Sequence, residues 1–371
     1  MPTMSLRADI LVIGGGIVGC SIAYECAKRG LSVVVVERGE LGRGASWAAA
    51  GILTPIHLAD HPPALVDLCS AAQASYEAWT AEVRAESGID PEFRRDGMLV
   101  LVTDDIEDAE AAKLLAWKKQ HGQPYEVLDA KGAARVEPHV SPSIRRALFL
   151  PDIAQVRNNR LVRAVAAAAT RRRVVILERT EALDLLLDGR EVVGARTTDG
   201  PVRATWTVLA AGAWSRAIAE RVGLVLRVEP VRGQMLLTEL PGGRLSRLVL
   251  CYDQYLVPRS DHRILIGSTT ERVGFDTSVT LDAVRLLTER ATRMVPALAG
   301  APLRASWAGL RPGSPDRIPY LGPVAELPGL LLACGHFRNG ILLGPISGRL
   351  IAQEIAGVKP DVPLDAYRLS R

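Results

Sequence analysis

The N-terminal part of the chain has a pattern of apolar and small residues typical of a strand, a turn, a helix and a second strand. Ile10–Ile13 is a short apolar run, glycines follow at 14–16, and apolar positions at helical spacing continue to Gly30. Leu31–Val36 is almost wholly apolar and rich in valine, which is typical of a parallel strand buried on both faces. The pattern therefore predicts a βαβ unit at the start of the chain.

Three glycines in the turn of this unit match the spacing G-x-G-x-x-G. Gly14 permits the tight turn, Gly16 lets the backbone approach a pyrophosphate, and Gly19 lets the helix pack against the strand. Glu37 ends the second strand about twenty residues further on, where a carboxylate binds ribose hydroxyls and disfavours a 2′-phosphate. A purely structural glycine turn is the alternative. The strand, helix and acidic residue in register favour a dinucleotide site that does not bind NADP.

The rest of the chain carries two kinds of pattern, which predict two domains. Helices that alternate with buried strands continue a Rossmann-like α/β domain with a parallel sheet. A meander at Val225–Leu240, Leu248–Pro258 and Arg263–Thr270, together with a strand at Met98–Val102 and a helix at Leu281–Met294, indicates an α+β substrate domain built on an antiparallel sheet. We expect the first domain to be discontinuous, at residues 1–87, 152–226 and 306–371, and the second to comprise residues 88–151 and 227–305.

Composition and charge exclude some classes of protein and favour others. The 371 residues include 45 basic and 41 acidic side chains, and the net charge of +4 gives little reason to expect nucleic-acid binding. Five scattered cysteines without a C-x-x-C motif favour reduced thiols in a cytoplasm. No apolar run reaches the ~18 residues of a membrane span, and the glycine-rich start is not expected to be a cleaved signal. His57 and His61 are spaced like a metal pair, but the two prolines after them and the lack of further ligands argue against a metal site.

Three further stretches place small residues or a helix start where a cofactor is expected. Residues 45–52 are a succession of small residues that lets backbone lie against a large planar group, or else lets helices pack closely. A strand at 205–209 leads into Ala210–Trp214, and a strand at 330–334 leads through a polar turn into a helix whose first N–H groups can stabilise an anion. The segment around Arg311 is rich in glycine and proline, and we expect it to be a turn.

Together these motifs resemble those of the D-amino-acid-oxidase-like FAD oxidoreductases, and among them the glycine oxidases of thiamine biosynthesis. The similarity spans nearly the whole chain in the family's order, and its last motif is much more specific than its first. The motifs are the glycine turn with Glu37, Ser46–Gly51, Leu209–Trp214, Tyr255–Arg259, Ala308–Gly313 and Gly335–Leu343.

The resemblance implies a non-covalent FAD, because the turn at Arg311–Asp316 lacks the cysteine to which similar sarcosine oxidases attach flavin. Arg311 would bind the substrate carboxylate, Tyr255 would add a hydroxyl, and Arg338 would serve both substrate and flavin. Without the resemblance, Arg311 could be a structural arginine and Tyr255 a core residue. The implied cofactor contacts are Gly14, Gly16, Ile17 and Val18 at the pyrophosphate, Glu37 and Arg38 at the ribose, Ala182 at the adenine, Ala45, Ser46, Ala49, Gly51 and Ile52 beside the ribityl chain and ring, Gly212 and Trp214 in the channel, and Gly335, Arg338, Asn339, Gly340 and Ile341 at the pyrimidine edge.

The reaction implied by the resemblance is the oxidative deamination of glycine and other small amines or D-amino acids. Its products would be a 2-oxo acid, ammonia and, with oxygen as acceptor, hydrogen peroxide. The Cα–H of a substrate with a neutral amine would face flavin N5, which requires placement more than a protein base. The alternatives are a D-amino-acid dehydrogenase that passes electrons to a quinone, a tRNA-modifying flavin oxidase and a non-catalytic flavoprotein. The resemblance also implies a cytoplasmic homo-oligomer, often a tetramer in this family.

Two residues depart from the pattern of the glycine oxidases. Asp253 stands two residues before Tyr255, where those enzymes carry histidine, and Thr270 stands where they carry methionine. We expect both residues to lie in or beside the substrate pocket. The choice among glycine, sarcosine and small D-amino acids therefore stays open.

Overall fold

The structure is a computed structural model that describes residues 6–55 and 60–371, and its strands form two eight-stranded sheets. The strands are β1 (Leu6–Ile13), β2 (Val33–Glu37), β3 (Met98–Val102), β4 (Glu126–Leu128), β5 (Arg146–Leu150), β6 (Val175–Glu178), β7 (Ala182–Asp188), β8 (Glu191–Thr197), β9 (Gly200–Leu209), β10 (Glu229–Glu239), β11 (Leu248–Cys251), β12 (Gln254–Pro258), β13 (Arg263–Gly267), β14 (Ala305–Gly313), β15 (Tyr320–Pro323) and β16 (Leu330–Cys334).

The helices pack mainly beside the first of these sheets. They are α1 (Ile17–Ala27), α2 (Ala45–Ala48), α3 (Pro63–Ser87), α4 (Asp105–Gln120), α5 (Ala130–Val136), α6 (Asn158–Arg171), α7 (Ser215–Glu220), α8 (Leu281–Met294) and α9 (Gly340–Ile355), with short 3-10 turns at Gly212–Trp214, Pro296–Gly300, Phe337–Asn339 and Asp365–Tyr367. In the described part of the chain, no helix combines the length and apolar character that crossing a bilayer requires.

The first sheet contains the predicted βαβ unit. Its order is β15-β16-β9-β1-β2-β6, in which β1 lies between β9 and β2 and runs parallel to both. The hairpin β7–β8 joins through β8 to β9, and β15 is an antiparallel edge strand. β2 begins at Val33, two residues later than the pattern predicts.

Strands β1 and β2 are buried on both faces, as their unbroken apolar sequences predict. Val33 and Val35 pack with α1, α3, α6 and α9 in one core, whereas Val34 and Val36 belong to the core on the opposite face. Because the side chains of a strand alternate between its two faces, such a strand needs apolar residues at every position. On that face α1 packs against α6 and α9, and this packing holds the glycine turn before α1 in position.

The second sheet has the order β14-β10-β13-β12-β11-β3-β5-β4 and is antiparallel except for the pair β11 and β3. The meander was predicted with Leu248–Pro258 as a single strand, and this is wrong. The chain reverses between Cys251 and Gln254, where Tyr252 adopts a φ of 53°. The apolar run on both sides of the turn hides the reversal in the sequence.

The segment around Arg311 is a strand rather than the predicted turn. β14 pairs with β10 along its whole length, from Ala305 opposite Leu237 to Gly313 opposite Glu229. Pro312 fits because β14 is the edge of the sheet, where a residue without an N–H leaves no neighbour unpaired. The domain boundary predicted at residue 306 therefore falls inside a strand of the second sheet and needs correction, while the division into two domains stays a prediction.

Candidate active site

A cavity of about 560 Å³ is lined by residues from both sheets, and almost all of the predicted site residues are among them. Gly335 is the exception, because it is not among the residues that line the cavity. Its φ of +77° and the hydrogen bond that its carbonyl accepts from Ser314 Oγ (3.3 Å) assign it to the turn before α9. The predicted residues that line the cavity are Gly14, Gly16, Ile17, Val18, Glu37, Arg38, Ala45, Ser46, Ala49, Gly51, Ile52, Ala182, Gly212, Trp214, Tyr255, Arg311, Arg338, Asn339, Gly340 and Ile341.

At one end of the cavity, the glycine turn has no room for side chains. A Cβ on Gly14 would lie 2.4 Å from the carbonyl oxygen of Ala210, and Gly14 has a φ of +113°. A Cβ on Gly19 would lie 1.9 Å from the carbonyl oxygen of Gly14. Gly16, Ile17 and Val18 at the start of helix α1 line the cavity, so the positive end of the helix lies beside it as a phosphate site requires.

Glu37 shapes the same end of the cavity from the tip of β2. Its two carboxylate oxygens accept hydrogen bonds from the N–H groups of Gly15 (2.8 Å) and Gly39 (2.9 Å). An ionised carboxylate has about four acceptor positions, so capacity for ribose hydroxyls remains. Beside it, the guanidinium of Arg38 stacks on the Trp214 ring with 3.7 Å between the Cζ atom and the ring centroid.

The small-residue loop, residues 45–52, runs along the middle of the cavity. Ser46 Oγ accepts a hydrogen bond from the N–H of Ile17 (2.9 Å), which joins the loop to the start of α1. A Cβ on Gly51 would lie 2.1 Å from the carbonyl oxygen of Val156, and one on Gly309 would lie 2.4 Å from Ala48 Cβ. The absence of side chains at these positions leaves a wall of backbone beside the cavity, which suits a large planar group.

Arg311 lies at the other end of the cavity, on the edge strand β14. Its guanidinium donates to the carbonyl of Thr269 (3.0 Å) and to Ser268 Oγ (2.7 Å). Gly233 on β10 makes room for it, since a Cβ there would lie 2.3 Å from Arg311 Nη1. In the described part of the chain no carboxylate lies within ion-pair distance of this guanidinium, and burial lowers the pKa of Arg311.

Arg338 and Tyr255 lie close to Arg311. The charge of Arg338 also contributes to lowering the pKa of Arg311, after the larger effect of burial, whereas Tyr255 raises it. Within residues 6–55 and 60–371, Arg338 Nη2 is buried and has no hydrogen-bond partner. The hydroxyl of Tyr255 donates to the sulfur of Met235 at 3.4 Å. Two guanidinium groups that have no carboxylate partner among the described residues make this end of the cavity a site for a small anion.

His336 precedes α9 and lines the cavity without being a candidate acid or base. Its Nε2 lies 2.9 Å from Ser347 Oγ, and burial lowers its pKa to about 3. The imidazole is therefore neutral near pH 7, and its hydrogen bond to Ser347 on α9 is directed into the protein. This agrees with a site in which no histidine acts as the base.

Asp253 and Thr270 were expected in or beside the substrate pocket, and neither lines the cavity. Asp253 lies in the turn between β11 and β12, where its carboxylate binds Arg290 at 3.1 Å. Thr270 is exposed. Met235 of β10 and Tyr255 of β12 line the cavity instead.

Sequence reasoning missed several residues of this site. Trp47, Gly233, Met235 and Thr277 all line the cavity. A glycine inside a strand pattern is a signal for close approach, and Gly233 has it. Met235 has no such signal, because it occupies an ordinary apolar position of β10.

One histidine of the pair that we expect not to form a metal site, His57, lies outside the described residues. In the described ranges 6–55 and 60–371, no group of three or more histidine, cysteine, aspartate or glutamate side chains could hold a metal ion. The cavity is lined by glycines at one end and by the arginines Arg311 and Arg338 at the other. Together they fit a dinucleotide with a large planar ring, held beside a small carboxylate.

Known proteins are similar to this chain in sequence and in fold. A family model described as FAD dependent oxidoreductase matches residues 9–354. The chain is 40% identical to a glycine oxidase of Pseudomonas aeruginosa over 96% of this chain and 97% of that one. It is 34% identical to a bifunctional protein ThiO/ThiG of a Nostoc species, over 99% of this chain and 55% of that protein. A crystal structure of glycine oxidase from Geobacillus kaustophilus superposes with a TM-score of 0.94 at 34% identity, over 99% of both chains.

Proposed function

Because the chain belongs to the family of FAD-dependent oxidoreductases, we propose that it oxidises glycine and other small amines or D-amino acids. Water hydrolyses the imine formed from the amine, which gives the 2-oxo acid and ammonia (methylamine from sarcosine), while oxygen accepts the two electrons and is reduced to hydrogen peroxide. The observation that carries this proposal is the pair of guanidinium groups, Arg311 and Arg338, at the end of a cavity whose other end is a glycine turn. Such a cavity binds a dinucleotide and a small carboxylate side by side.

The residues that would hold FAD in this proposal lie along the whole length of the cavity. The turn at Gly14 and Gly16 and the start of α1 bind the pyrophosphate, and Glu37 binds the adenosine ribose. The small-residue loop and the start of α9 flank the ring. Bound FAD supplies an acceptor for the hydride that leaves the amine carbon.

The substrate is held by its carboxylate. Arg311 has donors left after its bonds to Thr269 and Ser268, and Arg338 contributes the unpartnered Nη2. The hydroxyl of Tyr255 reaches the same region. Binding at one end of so small a molecule fixes the direction of its Cα–H bond, and this placement is the main contribution of the protein.

No residue of the site is assigned as a general base. His336 stays neutral and bonded to Ser347, so it is not free to exchange a proton with a substrate amine. The amine therefore has to reach the ring in its neutral form. This assignment makes the two arginines, rather than a histidine, the residues on which turnover depends.

Likeness to named relatives supports the finer parts of the proposal. Two of the proteins described above are named glycine oxidase, and one carries the name ThiO/ThiG. We therefore propose glycine as a principal substrate and thiamine biosynthesis as the role. We further propose a cytoplasmic homo-oligomer, which size-exclusion chromatography with light scattering would test.

The decisive experiment is an anaerobic titration of the purified yellow holoenzyme with glycine, sarcosine, D-alanine and L-alanine. Glycine is expected to bleach the visible flavin spectrum, and readmitted air is expected to restore it with formation of peroxide. Bleaching that only an added quinone reverses would identify a dehydrogenase instead. A spectrum that none of the amines changes would refute the proposal, and L-alanine serves as the control for stereochemistry.

A further inference from the structure

Three side chains behind the small-residue loop hold its carbonyl groups away from the cavity. Asn158 Nδ2 donates to the carbonyls of Ser46 (2.7 Å) and Trp47 (2.8 Å). Trp307 Nε1 donates to the carbonyl of Ala48 at 3.1 Å, and Arg259 Nη2 donates to that of Ala50 at 2.8 Å. The C=O and N–H of a trans peptide point in opposite directions. The N–H groups of Ala49 and Gly51 consequently point away from these donors, and both residues line the cavity.

Arg259 is the centre of this arrangement. It follows β12 in the second sheet, is 8% exposed, and reaches segments that are distant in the sequence. Besides Ala50, it donates to the carbonyl of Val156 at 2.9 Å and to Asn158 Oδ1 at 3.2 Å. It therefore holds the loop carbonyl directly and also orients Asn158, which holds two more.

The surroundings of Arg259 show that its charge is held by carbonyl and amide oxygens. In the described residues no carboxylate lies within ion-pair distance of it, because the nearby Glu92 and Asp261 bind Arg157 instead. Burial lowers the pKa of Arg259 to about 9, and the charges of Arg157 and Arg94 act in the same direction. The group is thus still protonated near pH 7. A buried cation bound by neutral acceptors is costly to maintain, so a role in the site explains its position better than packing does.

We propose that Arg259 is a positioning residue that turns the Ala50 carbonyl away from the cavity and so presents the N–H groups of Ala49 and Gly51 to the ring of bound FAD. The inference rests on the proposed function, since it takes the flavin ring to lie beside the loop. Arg259 itself does not line the cavity. Its effect reaches the ring only through the backbone.

The test compares Arg259→Met and Arg259→Lys with Arg157→Met, which removes a neighbouring cation that does not contact the loop. The FAD dissociation constant is measured by adding FAD to apoprotein and following the quenching of its fluorescence. Loss of a charge-assisted hydrogen bond that leaves a buried carbonyl unpaired predicts a rise of about tenfold or more for Arg259→Met. Arg259→Lys keeps the charge and is expected to recover part of the loss, while Arg157→Met stays within about twofold of the wild type.

Two further readouts separate positioning from a general effect on folding. The visible spectrum of bound flavin is expected to change in Arg259→Met, and kcat is expected to fall more than KM for glycine rises, because Arg311 lies on a different strand. Wild-type FAD affinity and an unchanged spectrum in Arg259→Met would overturn the inference. So would an equal loss of thermal stability in apoprotein and holoprotein with no change in the dissociation constant. If the Met variant does not fold, Arg259→Lys carries the same test. Failure of the wild type to bind FAD at all would instead refute the proposed function.

Discussion

The two ends of the cavity are formed by different chemical groups, backbone at one end and charged side chains at the other. At the nucleotide end, glycines and the start of α1 present backbone, and the closest approaches are between main-chain atoms such as Gly14 and the carbonyl of Ala210. At the substrate end, long charged side chains such as Arg311 and Arg338 project from a strand and a turn of different segments. A site formed by backbone therefore tolerates almost no added atom, whereas a site formed by side chains depends on their charge and length.

The largest effect is expected where backbone meets backbone, for Gly14→Ala. The added Cβ would overlap the carbonyl oxygen of Ala210 at 2.4 Å, and the φ of +113° is unfavourable for alanine. We expect the purified variant to retain no FAD, measured as visible flavin absorbance relative to protein. Gly189→Ala is the matched control, because Gly189 also has a positive φ, +59°, with nothing within 4 Å of a new Cβ. It is expected to lose about 1 kcal/mol of stability and keep its flavin. Full flavin content in Gly14→Ala would show that the turn does not limit binding.

A smaller but still large effect is expected at the substrate end, for Arg311→Ala. In this variant the substrate carboxylate loses its partner in a buried charge pair. The loss costs about 3 kcal/mol, or roughly two orders of magnitude in kcat/KM for glycine. FAD content should be unchanged, which separates the two ends of the cavity. Arg304→Ala removes an exposed arginine next to the same strand and should behave as the wild type. Unaltered affinity for glycine in Arg311→Ala would show that this guanidinium does not bind the substrate carboxylate.

The smallest effect concerns His336, which lies at the arginine end but carries no charge. Its pKa in the folded protein, about 3, is below its ordinary value of 6.5, so the unfolded chain binds the proton more readily. The contribution to stability is therefore complete above pH 6.5 and is lost as the pH falls towards 3. Between pH 8 and pH 5 this group alone should remove about 2 kcal/mol from the free energy of unfolding.

The measurement is urea unfolding of the wild type, His336→Gln and, as an exposed control, His121→Gln at both pH values. The loss between pH 8 and pH 5 should be smaller in His336→Gln than in the other two proteins. Equal losses in all three would mean that His336 has the same pKa in the folded and the unfolded protein and gains its proton in both as the pH falls. The cationic character of this end of the cavity would then no longer rest on arginines alone.

The sequence predicts the nucleotide end of the cavity better than the substrate end, and the reason is physical. A site formed by backbone requires particular local conformations. The spacing of the glycines and the valine-rich strand after them indicate these conformations within a short segment of sequence. The existence and parallel pairing of β1 and β2 were predicted, because strands buried on both faces must be apolar throughout, but β1 begins at Leu6, four residues before the apolar run, and β2 two residues later than predicted. The family resemblance supplied the roles of Arg311, Tyr255 and Arg338, which no local pattern indicates.

What the sequence did not reveal depends on contacts between distant segments. The strand around Arg311 was taken for a turn, since only its pairing with β10 makes a Gly- and Pro-rich edge strand acceptable. Comparison with the glycine-oxidase pattern placed Asp253 and Thr270 in or beside the substrate pocket. Neither lines the cavity, although Thr270 follows Thr269, whose carbonyl binds Arg311, and the turn after β11 directs Asp253 to Arg290. Arg259 was noticed as part of a motif, yet its hydrogen bonds to Ala50 and Val156 become visible only once the two sheets meet.

The parallel pairing of β3 with β11 has a consequence for synthesis of the protein. Met98 pairs with Leu248, so the earlier strand leaves the ribosome on the order of ten seconds before its partner exists, at about 5–20 residues per second. Until then β3, whose five residues are all apolar, has an open edge that can recruit another nascent chain. Chains truncated before residue 248 are therefore expected to aggregate, and slower translation is expected to lower the yield of full-length protein.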